Sequence, residues 1–207
     1  QVDRKKVIFC AYSGNVDWVI PLRNYDFLFF QNKVGFCPVS FSEQLYQPKI
    51  KTISDVVNYV TYFLHTNSGG EGDLQEPSIA KVIMDTLPGY FSIGGTGAQA
   101  ANFLAHLGFS KIHLHLPIYN EYFQKVLHPG LRIYHNTPFY LEKFGKEILS
   151  LSEIHCIFDY APETAYRIGN EIFHTKKADR IILSHDRCNS NIYISEAFKQ
   201  ELLKSHI

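Results

Sequence analysis

The glycine cluster Gly94-Gly95-Thr96-Gly97 constrains this chain more than any other feature. It runs straight into Ala98-Gln99-Ala100-Ala101-Asn102-Phe103-Leu104-Ala105-His106-Leu107, and Gly108 follows. Small residues in the first turns of a helix let another backbone, or a ligand, come close. Gly108 supplies the stop for a helix over 98–107. Beyond it, Ile112, Leu114 and Leu116 alternate with Lys111, His113 and His115, which is the pattern of a half-buried strand. Helix, glycine stop, strand is the grammar of an α/β protein.

The rest of the sequence extends that grammar. Val7 to Tyr12 reads as a buried strand ending in the polar turn Ser13-Gly14-Asn15. Asp26–Phe30 and Val34–Ser40 read as two strands joined by Gln31-Asn32-Lys33. Ser54 is a candidate cap for a helix with Val56, Val57, Val60, Phe63 and Leu64 on one face. The segment 67–73, with three glycines, reads as a loop, and Pro77 opens a second helix whose stripe is Ile79, Val82 and Ile83. Further strands are expected at 90–93, 131–135, 154–160 and 180–184, and Ser195 is placed to cap a last helix.

Composition narrows the function classes. The 207 residues suit one domain, or one domain with a smaller lobe. With 20 Lys+Arg against 20 Asp+Glu, the chain lacks the basic footprint of a nucleic-acid binder. No apolar run reaches the ~20 residues that a membrane-spanning helix needs. Cys10, Cys37, Cys156 and Cys188 have long, irregular spacings, which argues against a disulfide framework or a zinc site. Free thiols, and a first strand expected almost at once with no secretory leader, predict a cytoplasmic protein.

Several groups are candidates for chemistry. Asn15-Val16-Asp17 follows the first strand, at the edge where open α/β sheets bind ligands. Asp17 there can accept hydrogen bonds from vicinal sugar hydroxyls, or close an Asx turn on its own backbone. The glycines at 94, 95 and 97 either cradle a phosphate at a helix N-terminus or permit tight helix–strand packing. They form neither a P-loop nor a dinucleotide fingerprint. Glu71 is either a solvated loop residue or sits on a hinge that brings it to a ligand. His113 and His115 share a strand face without a third metal ligand nearby in sequence. Arg180 is either part of a solvated basic turn or a fork for phosphate.

Taken in order, Cys10-Ala11-Tyr12-Ser13-Gly14-Asn15-Val16-Asp17, Gly69-Gly70-Glu71, Ile93-Gly94-Gly95-Thr96-Gly97-Ala98, Leu116-Pro117, Ile154-His155-Cys156-Ile157-Phe158-Asp159-Tyr160 and Ala178-Asp179-Arg180-Ile181-Ile182 resemble a known family. It is the ADP-dependent glucokinase and phosphofructokinase family, within the ribokinase-like superfamily, in its N-terminal half. No single motif is specific; their shared order carries the resemblance over nearly the whole chain.

The resemblance implies a three-layer α/β/α lobe, approximately 1–17, 41–66 and 76–130. A smaller β-sheet lid, approximately 18–40 and 131–184, completes it, and the whole is incomplete in this chain. It implies transfer of the terminal phosphoryl group of ADP, with Mg2+, to a hexose or hexose phosphate. Asp17 and Glu71 would hold sugar hydroxyls, Gly94 and Gly95 would present backbone amides, and Asn15 and Thr96 join this substrate-binding set. Arg180 would lie near a phosphate. The sequence departs from the family pattern at Thr96, usually Gln, at Asp159, usually Glu, and at Asp179, usually Asn.

Family members run to more than twice this length. Their Gly-x-Gly-Asp loop, which supplies the anion hole and the catalytic base, has no counterpart here. Phosphoryl transfer rests on positioning and charge stabilisation. No catalytic residue is therefore expected in this chain, ADP is expected to bind through a C-terminal half, and the chain alone is expected to be inactive. Two other readings stay open: a non-catalytic sugar or sugar-phosphate binding protein, and an unrelated α/β nucleotide-binding enzyme.

Overall fold

Apolar side chains gather into two separate clusters, and the fold follows from them. The computed structural model describes residues 3–38, 40–189 and 193–205. The chain begins with β1 (Val7–Cys10), β2 (Asn15–Leu22), α1 (Asn24–Val34), a 3-10 turn at Glu43–Leu45, β3 (Lys49–Ile50) and α2 (Ile53–Thr66). It continues through β4 (Gly70–Leu74), α3 (Pro77–Thr86), β5 (Tyr90–Gly94), α4 (Thr96–His106), β6 (Lys111–Leu116), α5 (Glu121–Val126) and β7 (Arg132–His135). The last elements are α6 (Thr137–Phe144), α7 (Lys146–Ser150), β8 (Ile154–Tyr160), β9 (Ala165–Ile168), β10 (Glu171–His174), β11 (Asp179–Ser184) and α8 (Glu196–Lys204). The chain is a mixed α/β protein.

One compact unit takes the described residues of 1–16, 91–153 and 186–207; the other takes those of 17–90 and 154–185. In the first, β1, β6 and β7 form a parallel sheet in the order β1-β6-β7. One face of it buries Ile112 and Leu114 against Ala98, Ala101 and Ala105 of α4 and Phe123 of α5. The small residues of α4 make that close approach possible. Gly108 sits at φ +85°, just past the helix, and its N–H bonds the Ala105 carbonyl, as a glycine stop requires.

The second unit holds strands in the order β3-β4-β11-β8-β2. β3, β4 and β11 run parallel, and β8 runs antiparallel to β11. Helices α1, α2 and α3 all pack against one face, made by Ile20, Leu22, Ile50, Leu74, Cys156, Phe158, Ile181 and Leu183. The β9–β10 hairpin turns at Gly169-Asn170, with Gly169 at φ +54°, and Tyr166 of β9 donates its hydroxyl to the Leu22 carbonyl at 2.8 Å.

The structure corrects several expectations. The strand expected at 26–30 is part of α1, which buries Phe27, Phe30 and Gln31 at helical spacing and leaves Phe29 exposed. Gly35, at φ +67°, ends that helix. The second expected strand, 34–40, is therefore absent: 36–38 are irregular, and position 39 lies outside the described residues. The aromatic run has strand propensity, but tertiary burial on one helix face overrides it. The cap of α2 is Thr52, in a reciprocal capping box with Asp55, and not Ser54. In α3 the buried residues are Ile79, Ala80 and Ile83, whereas Val82 is exposed.

The two units also divide the chain differently from the expected lobe and lid. Residues 41–66 and 76–90 belong with 18–38, because α2 and α3 bury Val56, Val60, Ile79 and Ile83 against strands β8 and β11. Residues 131–153 belong with the parallel sheet, because β7 pairs with β6.

Finally, 70–74 is a strand and not a loop. A Cβ on Gly70 would lie 2.1 Å from the Phe63 ring, and one on Gly72 would lie 3.1 Å from Tyr59. The glycines admit the aromatic face of α2. Gly70→Ala is expected to cost about 1–3 kcal/mol in urea unfolding, and Phe63→Leu in the same chain should recover part of that loss.

Candidate functional site

A strand sends alternate side chains to opposite faces, so packing all three helices on one face of the second unit's sheet leaves the other outside its core. Register decides what stands there. Glu71 lies beside Ile182 and Ile157, Asp73 beside Ser184 and His155, and Arg180 beside Asp159. None of these belongs to the helix-covered core. In β4 the alternation is literal: Gly70 and Gly72 face the helices, and Glu71 and Asp73 face away.

The polar groups on this face are paired. Asp17 Oδ1 lies 3.8 Å from His155 Nδ1, both being mostly buried. The Ser184 hydroxyl donates to Glu71 Oε1 at 3.3 Å. Arg180 Nε meets Asp159 Oδ1 at 2.9 Å, with most of the guanidinium exposed. Asp17 heads the face on β2, which neighbours β8. It lies in the strand itself, so the Asx-turn alternative does not apply. Such an array offers carboxylate oxygens that accept hydroxyl protons and a guanidinium that binds anions.

At one end of this unit, a groove of about 600 Å³ is lined by Pro21, Arg23, Asp159, Ala178, Asp179 and Arg180, among others. Arg23 pairs with Asp26 at 3.0 Å. Asp179 is held below the usual carboxylate range by the Arg180 backbone N–H and by Lys177, whose ammonium lies 3.0 Å away. The rim therefore carries two guanidiniums beside the Asp179 carboxylate.

Asn15, Gly94, Gly95 and Thr96 belong to the first unit. Asn15 is buried at the start of β2. Gly94 ends β5, and Gly95 precedes α4 at φ +76°. A Cβ on Gly95 would lie 2.7–2.8 Å from the backbone of Ser13 and Gly14, and one on Gly97 would lie 2.5 Å from the Ala11 carbonyl oxygen. Ser13 occupies the head of α4: its hydroxyl accepts from the Gly97 N–H at 3.2 Å and its carbonyl from the Ala98 N–H at 3.1 Å. Gly95 and Gly97 thus serve helix–loop packing, and protein groups take two of the amides that a phosphate cradle would use. Tyr12, at φ +80°, strains the same loop, a conformation that non-glycine residues adopt at a cost.

His155 and Ser184 were not singled out from sequence. The signal was present: Ile154, Cys156, Phe158 and Tyr160 are apolar, and His155, Ile157 and Asp159 share the other parity.

The model of the ADP-specific phosphofructokinase/glucokinase conserved region matches residues 6–207. The chain belongs to this family. Among solved structures, a hypothetical ADP-dependent phosphofructokinase from Pyrococcus horikoshii OT3 superposes with a TM-score of 0.72 at 20% identity, over 99% of this chain and 47% of that one. A phosphofructokinase from the same organism, with AMP, gives 0.72 at 19%, over 99% and 47%. An ADP-dependent kinase in complex with fructose-6-phosphate and ADPβS gives 0.62 at 16%, over 97% and 40%. The chain spans about half the length of these relatives. No match among curated proteins was found.

The family implies Mg2+. Among the described residues, no three His, Cys, Asp or Glu side chains are grouped to hold a metal ion, and no role is derived through one. No helix among them is long and apolar enough to cross a membrane. His113 and His115 are each engaged by protein. His113 Nδ1 meets the Tyr134 hydroxyl at 3.0 Å, and His115 Nε2 accepts from the Ser195 N–H at 3.0 Å.

Burial, with His135 nearby, lowers His115 from 6.5 to about 4. Between those values the unfolded chain holds the extra proton. Stability should therefore fall as pH drops from 6.5 toward 4, by up to about 3 kcal/mol. Unfolding curves across this window should flatten in His115→Gln, whose amide oxygen can accept the same N–H.

Proposed function

We propose that this chain is the sugar-binding portion of an ADP-dependent sugar kinase. The observation that carries the reading is the polar sheet face bearing Asp17–His155, Glu71–Ser184 and Arg180–Asp159 opposite the helix-covered core. A hexose presents adjacent hydroxyls, each of which can donate to a carboxylate. Asp17 and Glu71 accept such hydrogen bonds in charge-assisted form. His155 holds the Asp17 carboxylate toward the ligand, and Ser184 does the same for Glu71. Arg180, with Arg23 on the same groove, takes the phosphate if the sugar carries one, because a guanidinium forks onto phosphate oxygens. One of the solved relatives holds fructose-6-phosphate, which suits such a groove. Asn15, Gly94, Gly95 and Thr96 are proposed as further substrate contacts on the family resemblance.

None of these residues is assigned as the catalytic base. The base and the ADP pocket are proposed to lie in a further segment of chain. Sugar binding is then this portion's contribution: it positions the acceptor hydroxyl, and the rest supplies charge stabilisation.

In the full-length protein, Asp17→Ala and Glu71→Gln should each weaken sugar binding at least tenfold in calorimetric titration, while ADP affinity changes less than twofold. Unchanged sugar affinity in both variants would remove the reading. The 207-residue chain, assayed with Mg-ADP and a panel of hexoses and hexose phosphates, should show no turnover. Robust turnover would place the anion hole and base within these residues.

A further inference from the structure

We propose that the pocket between the N-terminal end of the β1-β6-β7 sheet and the last turn of α8 binds a small phosphate-bearing anion. It lies wholly within the first unit, and the proposal is independent of the sugar-binding reading.

Register builds the pocket. Val7 pairs with Lys111, and Phe9, His113 and Arg132 line up across the three strands. These side chains therefore share the sheet face away from the α4 core. Phe198 of α8 packs on that face, against Phe9, His115 and Tyr134. The helix ends over the strand starts, and Glu201, Lys204 and Ser205 close a cavity of about 280 Å³ against Lys111, His113 and Arg132. That volume is at the lower end for small-molecule sites.

Charge then decides the ligand. The lining carries three cations, Lys111, Arg132 and Lys204, against the single carboxylate Glu201. Lys204 pairs with Glu201 at 3.6 Å. Lys111 and Arg132 have no ion-pair partner among the described residues. Lys111 and Arg132 are solvent-exposed at the mouth of the cavity, so an anion seated between them is attracted by both charges.

A second observation points the same way. His113 is 2% exposed and lines the cavity. Its Nδ1 is used by the Tyr134 hydroxyl and its ring stacks on Phe9, while Nε2 has no hydrogen-bond partner among the described residues. With the Tyr134 hydroxyl donating to Nδ1, the Nε2–H is a donor with no protein acceptor among the described residues. A phosphate oxygen supplies one. Burial and the Arg132 charge both keep the ring neutral, Glu201 opposing them, so the donor is present at neutral pH without protonation. Lysine, arginine and the His113 ring N–H around one cavity form a phosphoryl-recognition set.

The test is a titration of inorganic phosphate into the full-length protein at constant ionic strength, followed by NMR of the histidine ring signals. The His113 signals should shift saturably in the wild type. Affinity should fall at least tenfold in Lys111→Gln/Arg132→Gln and stay within twofold in Arg180→Gln, which separates this pocket from the sugar-phosphate groove. No saturable shift at His113, or equal affinity in the double variant, overturns the proposal. If the double variant fails to fold, the exposed Lys204→Gln substitutes for it: a loss of at least threefold supports the pocket, and unchanged affinity overturns it.

Discussion

Everything in the second unit depends on the contact between the α2 aromatics and strand β4. Tyr59 and Phe63 press their ring edges against the strand because Gly70 and Gly72 present no side chain there. Any Cβ at Gly70 would enter the Phe63 ring. That contact fixes which face of β4 is inside. Because parity is strict, it also places Glu71 and Asp73 on the outer face. Register transmits the choice to β11 and β8, where Ser184, Arg180, His155 and Asp159 fall on the same side. The polar face is the necessary complement of a one-sided core.

The first unit uses glycine for a different end. Gly95 and Gly97 let the 11–14 loop press against the start of α4, and Ser13 satisfies two amides of that helix. The first unit also keeps a buried acid. The Glu153 carboxyl is raised above its ordinary range by burial and by the neighbouring Asp186 charge. It accepts from the Cys188 N–H at 2.6 Å and from the Asn189 side chain. It ties 188–189 to Glu153 by hydrogen bonds within the first unit.

Much of this was legible in the residues. The helix at 96–106, its glycine stop, the strand at 111–116 and the helix opened by Pro77 follow from period and punctuation alone. The ordered motifs around Asp17, Glu71, Gly94 and Arg180 were enough to place the chain in its family. Less legible was the stretch 24–34, where Phe27, Leu28, Phe29 and Phe30 read as a strand. In such a run, strand and helix periods both place an aromatic on every face. Only Gly35, in the left-handed region, marked the helix end in advance. The glycines at 69, 70 and 72 read as a loop because side-chain absence signals flexibility unless the partner that fills the space is known.

By itself the sequence determined the α/β class, the family, and the elements marked by clear period and punctuation, such as α4, β6 and α3. Those properties are local: period, caps and short motifs act within a dozen residues. Only the tertiary structure decided that α2 and α3 belong with 18–38, that Gly70 and Gly72 face an aromatic wall, and that Asp17 meets His155 and Glu71 meets Ser184. These pairs are separated by more than a hundred positions, and strand order and register, not sequence distance, bring them together. The physical reason is that burial energy is shared among whichever elements close a core, and nothing in a single segment states which partner it will cover.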